Sequence, residues 1–263
     1  MPYLGYLLAQ AIKAGETIAS AITSASNYVT KVGGSVVDLS PSVEALKSPS
    51  EGSALFNGTS DRIVMGDVMN QGSANATYMY WMYSTEYNTG QAVIAKSNGG
   101  SYSTSYGYLV GVQSNTKIYY FTADTDGSNH YSYIEHPGLN NWYHIAFSVD
   151  KSKSEVDIYV NGDRKTVTRN NLLSAIGTVT NTLDFVIGDE TDGASTHNFG
   201  GNLANVAVWS RALSAEEIRS VMMKSYDDLS ASETKGLVSW YALDDISGTT
   251  VPDSHGNYNG TAS

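Results

Sequence analysis

From residue 54 onward the apolar residues arrive in short runs parted by Gly, Asn, Ser and Asp, at 54–56, 62–65, 77–83, 92–95, 108–112 and 117–122. Two further runs, at 144–149 and 156–160, flank Lys151-Ser152-Lys153-Ser154 and close on Asn161-Gly162, which predicts an antiparallel hairpin followed by a second tight turn. Short β-prone runs at this rhythm, with turn residues between them, predict an all-β sandwich. In Tyr78-Met79-Tyr80-Trp81-Met82-Tyr83 both alternating faces are apolar or aromatic, so this strand is expected in a sheet whose second face is also covered or adhesive. Ser214-Ala215-Glu216-Glu217 has the spacing of a capping box and predicts one short helix reaching about Lys224.

Residues 1–32 follow another period. Leu4, Leu8, Ala11, Gly15, Ile18, Ile22, Ala25, Val29 and Val32 fall at spacings of three and four, the pattern of a helical seam. The expectation is a helical arm that docks into an oligomer or larger assembly through Leu4, Leu8, Ile18, Ile22 and Val29, because an apolar stripe of that length needs a cover. The alternative is an irregular extension along the sandwich, since Ser and Thr are mediocre helix formers and Gly15 costs about 1 kcal/mol relative to alanine. Residues 33–50, with Gly33-Gly34, Pro41 and Pro49, read as a linker, leaving 51–263 as the main domain.

Composition narrows the partners. A formal charge of −11 with no basic stripe argues against nucleic acid, and no window has the length of a membrane span. The chain has no cysteine, so disulfides and thiolate metal sites are excluded and packing alone must stabilise the fold. Nineteen tyrosines among abundant Ser, Thr, Asn and Gly suit broad binding or assembly surfaces more than a metabolic active site. The first residues lack the basic, apolar and small-residue order of a secretion signal, so none is expected.

The hairpin residues Trp142, His144, Ala146, Asp150, Tyr159, Asn161 and Gly162 resemble the central hairpin of laminin G-like domains of the concanavalin A-like lectin/glucanase superfamily. Upstream, Ala54-Leu55-Phe56-Asn57-Gly58 and Asp61-Arg62-Ile63-Val64 are similar to that family's opening, with Asn57 and Arg62 replacing the usual acid and aromatic. Downstream, the run from Phe199 to Trp209 and Arg211-Ala212-Leu213-Ser214 to Ile218 are similar to its closing strand and helix. The resemblance implies a two-sheet antiparallel jelly-roll sandwich over roughly residues 50–225. Leu237 to Asp244 and Ser247 to Asn257 look like the segment that normally begins such a domain, so its usual first strand is expected from 236–263. Same-chain completion is favoured over strand exchange with a neighbouring subunit, because the intramolecular contact has the higher effective concentration.

Candidate chemistry is sparse. Glu155 and Asp157 invite comparison with the catalytic strand of the superfamily's glucanases, but the third acid is missing at Val160 and alternation alone produces such pairs, so a polar strand face is expected. Members of the family often hold calcium; here Asn57 and Asn205 stand at two of the acidic positions, and Asp189, Glu190, Asp192, Asp244, Asp245 and Asp253 read as solvated acidic loops. No cofactor is expected, and calcium stays open without assigned ligands. His130, His136, His144, His197 and His255 lack metal-ligand spacing, and His144 is expected to be structural. Tyr102, Tyr106, Tyr131 and Tyr133, placed in or beside polar loops, are the candidate ligand-binding residues, because sugars stack on exposed aromatic rings.

These features predict a non-enzymatic, lectin-like protein displayed on a virus particle, as capsid decoration or a head or tail fibre component. It would be tethered to other virion proteins by the arm, self-associate, and bind host-surface glycans or stabilise the shell. The alternatives are an extracellular bacterial carbohydrate-binding module or adhesin and, behind it, a glycoside hydrolase.

Overall fold

The computed structural model describes residues 52–70, 74–86, 90–98, 106–113, 116–190 and 197–263. The proposed arm, with Leu4, Leu8, Ile18, Ile22 and Val29, lies outside the described residues, as do most of the linker and Tyr102.

Sixteen strands, counted along the described residues, form two antiparallel sheets. The first holds β1 (Ala54–Asn57), β3 (Ala76–Ser84), β8 (Trp142–Asp150), β9 (Glu155–Val160), β10 (Asp163–Arg164), β13 (Gly200–Trp209) and β14 (Leu237–Tyr241). Its order is β1-β13-β3-β8-β9-β10, with β14 also on β13. The second runs β11 (Thr168–Asn170), β7 (Asn129–Glu135), β6 (Lys117–Ala123), β5 (Gly107–Gln113), β4 (Gln91–Ser97), β12 (Val186–Ile187), β2 (Ile63–Val64), β16 (Gly260–Ala262) and β15 (Thr250–Val251). This is the all-β sandwich that the rhythm of apolar runs predicted, in the two-sheet jelly-roll form that the family resemblance implied.

Period-2 alternation puts Tyr78, Tyr80 and Met82 of β3, Ile145, Phe147 and Val149 of β8 and Val156, Ile158 and Val160 of β9 on one face. They pack against Val110 and Val112 of β5, Ile118 and Tyr120 of β6, and Ile134 of β7, which makes the core between the sheets. The other face of β3 is covered too. Met79, Ala207 and Trp209 lie under α1 (Ala215–Val221) and the segment before it, through Leu213, Ile218 and Val221. Polar side chains on that covered face are satisfied by the same segment: Thr77 Oγ1 donates to Arg211 O at 2.8 Å and accepts from Leu213 N at 2.9 Å, and Ser148 Oγ donates to Leu213 O at 2.8 Å.

The capping box forms, with Glu217 N donating to Ser214 Oγ at 3.3 Å and Ser214 N to Glu217 Oε2 at 2.9 Å. The helix ends at Val221, short of Lys224, and the indole of Trp81 donates to the carbonyl of Met222 at 2.9 Å just beyond it.

β13 is the strand on which the two ends of the domain meet. Its register shifts between Ala204 and Ala207, with Asn205 at φ 46°, a left-handed conformation that asparagine tolerates better than most residues. Below this bulge β1 pairs with Gly200–Leu203; above it β14 pairs with Val206–Trp209. Both run antiparallel to β13 on the same edge, so Leu237–Tyr241 and Ala54–Asn57 lie head to tail in one line. Asn205 N donates to Ala242 O at 3.1 Å, and the Trp240 indole donates to Asn205 Oδ1 at 3.3 Å. β16 then joins the second sheet beside β2, and Arg62 and Ser263 exchange two backbone hydrogen bonds of 3.0 Å.

Candidate functional site

On the outer face of the second sheet, strand register assembles an aromatic surface. Tyr133 of β7 stands opposite Tyr119 of β6, and Tyr131 opposite Phe121. The ring centroids of Tyr119 and Tyr131 are 5.4 Å apart and those of Tyr131 and Tyr133 are 5.3 Å apart, in tilted arrangements that favour aromatic contact. Phe121, Leu109, Ala92, Ala95 and Ala123 form the buried floor of this cluster, and Tyr131 and Tyr133 rise from it, partly exposed.

Polar groups border the rings. Lys117 places its ammonium 4.0 Å from the centre of the Tyr133 ring, a cation–π geometry, and Tyr131 Oη donates to Gln113 Oε1 at 2.5 Å. On the next strand Thr168 pairs with Tyr133 and Asn170 with Tyr131, and the backbone N–H of Tyr131 donates to Asn170 Oδ1 at 2.7 Å. Glu135 pairs with Lys117 at the end of the same surface. Two tyrosine rings with an ammonium, amides, a hydroxyl and a carboxylate at their margin make a partly open face able to stack a pyranose and hydrogen-bond its hydroxyls.

Of the four tyrosines named from the sequence, Tyr106, Tyr131 and Tyr133 fall within the described residues and Tyr102 lies outside them. Tyr131 and Tyr133 come together on β7, a strand that the sequence pattern does not mark. The reason is that His130 and Ser132, which alternate with them, face inward as a hydrogen-bonded pair: His130 Nε2 is 2.6 Å from Ser132 Oγ and Nδ1 is 3.1 Å from Asn171 O. With polar residues on both faces, the strand carries no visible apolar alternation. Tyr106 sits just before β5, two strands from β7, where its N–H donates to Asn98 Oδ1 at 2.8 Å. Lys117, Tyr119 and Gln113 escaped sequence reading; the available signal was the Lys-x-Tyr-x-Phe alternation at 117–121, aligned with Tyr-x-Tyr at 131–133.

The acids of β9 lie elsewhere, on the helix-covered side of the first sheet. Glu155, Asp157 and Tyr159 line a cleft of about 240 Å³ with Asp150, Lys153 and Glu217. Asp157 is engaged by two guanidiniums, with Arg164 Nη2 at 2.6 Å and Arg169 Nη2 at 3.5 Å from its Oδ1. Asp150 is drawn down to a pKa of about 2 by hydrogen bonds from Ser152 and Lys153.

Several acidic residues of the calcium comparison have protein partners. Asp253 is a backbone organiser: its Oδ1 accepts from Trp240 N and His255 N, and its Oδ2 from Asn257 N and Tyr258 N, at 2.8 to 3.1 Å. Asp189 is fully buried, 3.8 Å from Arg62 Nη1, and Glu190 Oε2 lies 3.1 Å from His197 Nδ1, which that hydrogen bond holds above the usual histidine range. Asp192 lies outside the described residues. Among the described residues no three His, Cys, Asp or Glu side chains are grouped to hold a metal ion, and no helix is long and apolar enough to cross a membrane.

Residues 57–219 match a laminin G family described as the concanavalin A-like lectin/glucanases superfamily, and the chain belongs to it. Among solved structures, the chain is similar to a presumed carbohydrate-binding protein of Bacteroides ovatus, with 20% identity and a TM-score of 0.61 over 82% of this chain and 58% of that one. It is also similar to the CBM40 module of the Ruminococcus gnavus IT-sialidase bound to α2,3-sialyllactose, with 15% identity and a TM-score of 0.49, covering 67% of this chain and all of that one. The chain thus spans less than two thirds of the Bacteroides protein. These likenesses establish a shared fold. No curated protein sequence matches.

Proposed function

We propose that the domain is a non-enzymatic carbohydrate-binding module whose ligand lies across Tyr131 and Tyr133. The observation that carries this reading is the pair of partly exposed rings 5.3 Å apart, bordered by Lys117, Gln113, Thr168 and Asn170, on a fold of the lectin superfamily. Stacked rings supply sequence-independent contact with the apolar face of a sugar, and the marginal amides and hydroxyls supply orientation. The carbohydrate-binding description of the Bacteroides relative supports it. A glycan array probed with the whole chain, followed by titration of the hits against Tyr131→Ala and Tyr133→Ala, tests it; unchanged binding in both variants would refute this face as the site.

The non-catalytic part of the proposal rests on the missing third acid at Val160 and on the capture of Asp157 by Arg164 and Arg169. Glu155→Gln and Asp157→Asn are expected to leave glycan binding intact, and the wild type is expected to release no reducing ends from bound polysaccharide.

We further propose that the module is displayed on a virus particle, self-associating and held to other virion proteins by residues 1–32. The seam of Leu4, Leu8, Ile18, Ile22 and Val29 and a cysteine-free chain support this assembly role. Normal incorporation of a chain lacking residues 1–32 into the native particle would defeat it.

A further inference from the structure

β1 is an edge strand, and its outer side offers one open N–H donor. Gly58 N donates to Phe199 O at 3.1 Å, in register with the pairs Phe56–Gly201 and Ala54–Leu203. The backbone groups of Ala54, Phe56 and Gly58 therefore point to β13, and those of Leu55 and Asn57 point away from the sheet. Asn57 N is taken by Asp61 Oδ2 at 3.0 Å. β14, in line with β1 on the same edge, is blocked as well: Trp240 N donates to Asp253 Oδ1 and Trp240 O accepts from Ser254 N, both at 2.8 Å. The N–H and C=O of Leu55 have no partner among the described residues.

Apolar surface collects at the same place. Leu55 is 69% exposed and Ile246 37%, two of the four large hydrophobic side chains that lie open among the described residues. Both residues line a concavity of about 270 Å³ along β1, with Ile63 and Ala262. Alternation puts the Leu55 side chain on the outer face of the sheet, since Ala54 and Phe56 pack into the core. Asp61 and Arg62 line the same concavity, one charge of each sign. Two copies of a chain of net charge −11 thus approach here without setting like charge against like.

An edge with a single open donor fits one kind of partner. A foreign strand that extends a sheet needs a run of open backbone groups, and the capped N–H groups of Asn57 and Trp240 deny it one. Two antiparallel strands related by a two-fold axis exchange N–H and C=O between the same residue of each, and that contact needs Leu55 alone.

We infer that two copies of the chain associate edge to edge through β1, with the two Leu55 residues facing each other across a two-fold axis and the two seven-stranded sheets joined into one. The pair exchanges two backbone hydrogen bonds and covers both exposed leucines. This rests on the self-association proposed above and gives it a face of the sandwich. β7 lies toward the other end of the second sheet from β2 and β16, whose Ile63 and Ala262 border the contact. Both Tyr131–Tyr133 faces therefore stay uncovered, and the dimer presents two of them.

The chain has no cysteine, so a single introduced thiol reports the contact without competition. Residues opposed in a hydrogen-bonded antiparallel pair have Cα atoms about 5.5 Å apart, within the span of a disulfide. Full-length Leu55→Cys, oxidised with glutathione disulfide, is expected to form a covalent dimer at least tenfold faster than Leu172→Cys, whose thiol replaces a leucine 67% exposed beyond β11. Leu55→Asp sets two carboxylates against each other at the axis and touches no core contact. It is expected to raise the dimer dissociation constant at least tenfold in sedimentation equilibrium of the full chain, with circular dichroism confirming that each variant is folded. Equal cross-linking by the two thiols, or an unchanged dissociation constant for Leu55→Asp, overturns the inference while the self-association of the wild type stands. A wild type that stays monomeric at every concentration overturns both.

Discussion

Lys117 holds its ammonium 4.0 Å from the centre of the Tyr133 ring, and the contact exists only because strand register sets Lys117 beside Glu135 and Tyr119 beside Tyr133. The lysine fixes the ring while keeping its own donors at the margin of the aromatic face. An exposed pair of this kind is worth about 0.5–1 kcal/mol. Replacing Lys117 by methionine is expected to keep the melting temperature within a few degrees and to weaken glycan binding several-fold, as read by calorimetric titration.

Tyr131 and Tyr133 are expected to dominate binding. Truncation of an aromatic anchor at the centre of a contact costs about 2 kcal/mol or more, roughly 30-fold in affinity. Tyr131→Ala also removes a hydrogen bond to Gln113 and a ring contact with Tyr119, so its variant is expected to be the less stable of the two. Thermal melts alongside titrations separate the two effects.

The hairpin of β8 and β9 and the paired apolar faces of β3 could be read from sequence because period 2, the Lys151–Ser154 break and the Asn161-Gly162 turn after β9 are local signals. The helix start was equally local, encoded in Ser214 and Glu217. Its early end was not, since Trp81 reaches it from a strand 141 positions away. The proposed binding face was half legible: Tyr131 and Tyr133 stood out as tyrosines, but His130 and Ser132 hid their strand, and Lys117 joins them only through pairing between strands. Chemistry that depends on register is invisible until the register is known.

The C-terminal segment is expected to be integral to the sandwich. Asp253 accepts four backbone N–H groups, and its replacement by alanine leaves several of them without a partner, at a cost of at least about 2 kcal/mol. Urea unfolding of Asp253→Ala gives the value directly, and Asp253→Asn, which retains an acceptor oxygen, is expected to fall between it and the wild type.

Because Leu237–Tyr241 and Ala54–Asn57 lie in line on β13, and Ala54, Leu55 and Ser263 line one groove, the chain order is proposed to be a permuted form of the family's. A rearranged chain with residues 236–263 joined ahead of residue 52 by a short flexible linker is expected to fold to the same sandwich. Size-exclusion chromatography and far-ultraviolet circular dichroism check it; an unfolded product would contradict same-chain completion.

Acid is expected to destabilise the domain before its carboxylates titrate. Burial lowers His144 to a pKa of about 3 and His136 to about 4, so both stay neutral when folded while the unfolded chain takes up protons near pH 6.5. Their contribution is complete above that pH and is lost as pH falls from about 6.5 towards 4 and 3, by up to about 1.4 kcal/mol per pH unit for each group. Glu233 acts lower: desolvation pushes it up, but Lys224, Ser220 and Ser230 bring it to about 2, so its support fades only below the ordinary glutamate range. Urea midpoints at pH 7, 5.5 and 4.5 are expected to fall steadily, and His144→Gln is expected to flatten that slope.

The central claim is that sugar binds across Tyr131 and Tyr133. Calorimetric titration of the whole chain and of Tyr131→Ala/Tyr133→Ala with the strongest glycan from an array tests it most directly. The account predicts saturable one-site binding by the wild type and none by a variant that still melts cooperatively. Undiminished affinity in that folded variant would contradict it.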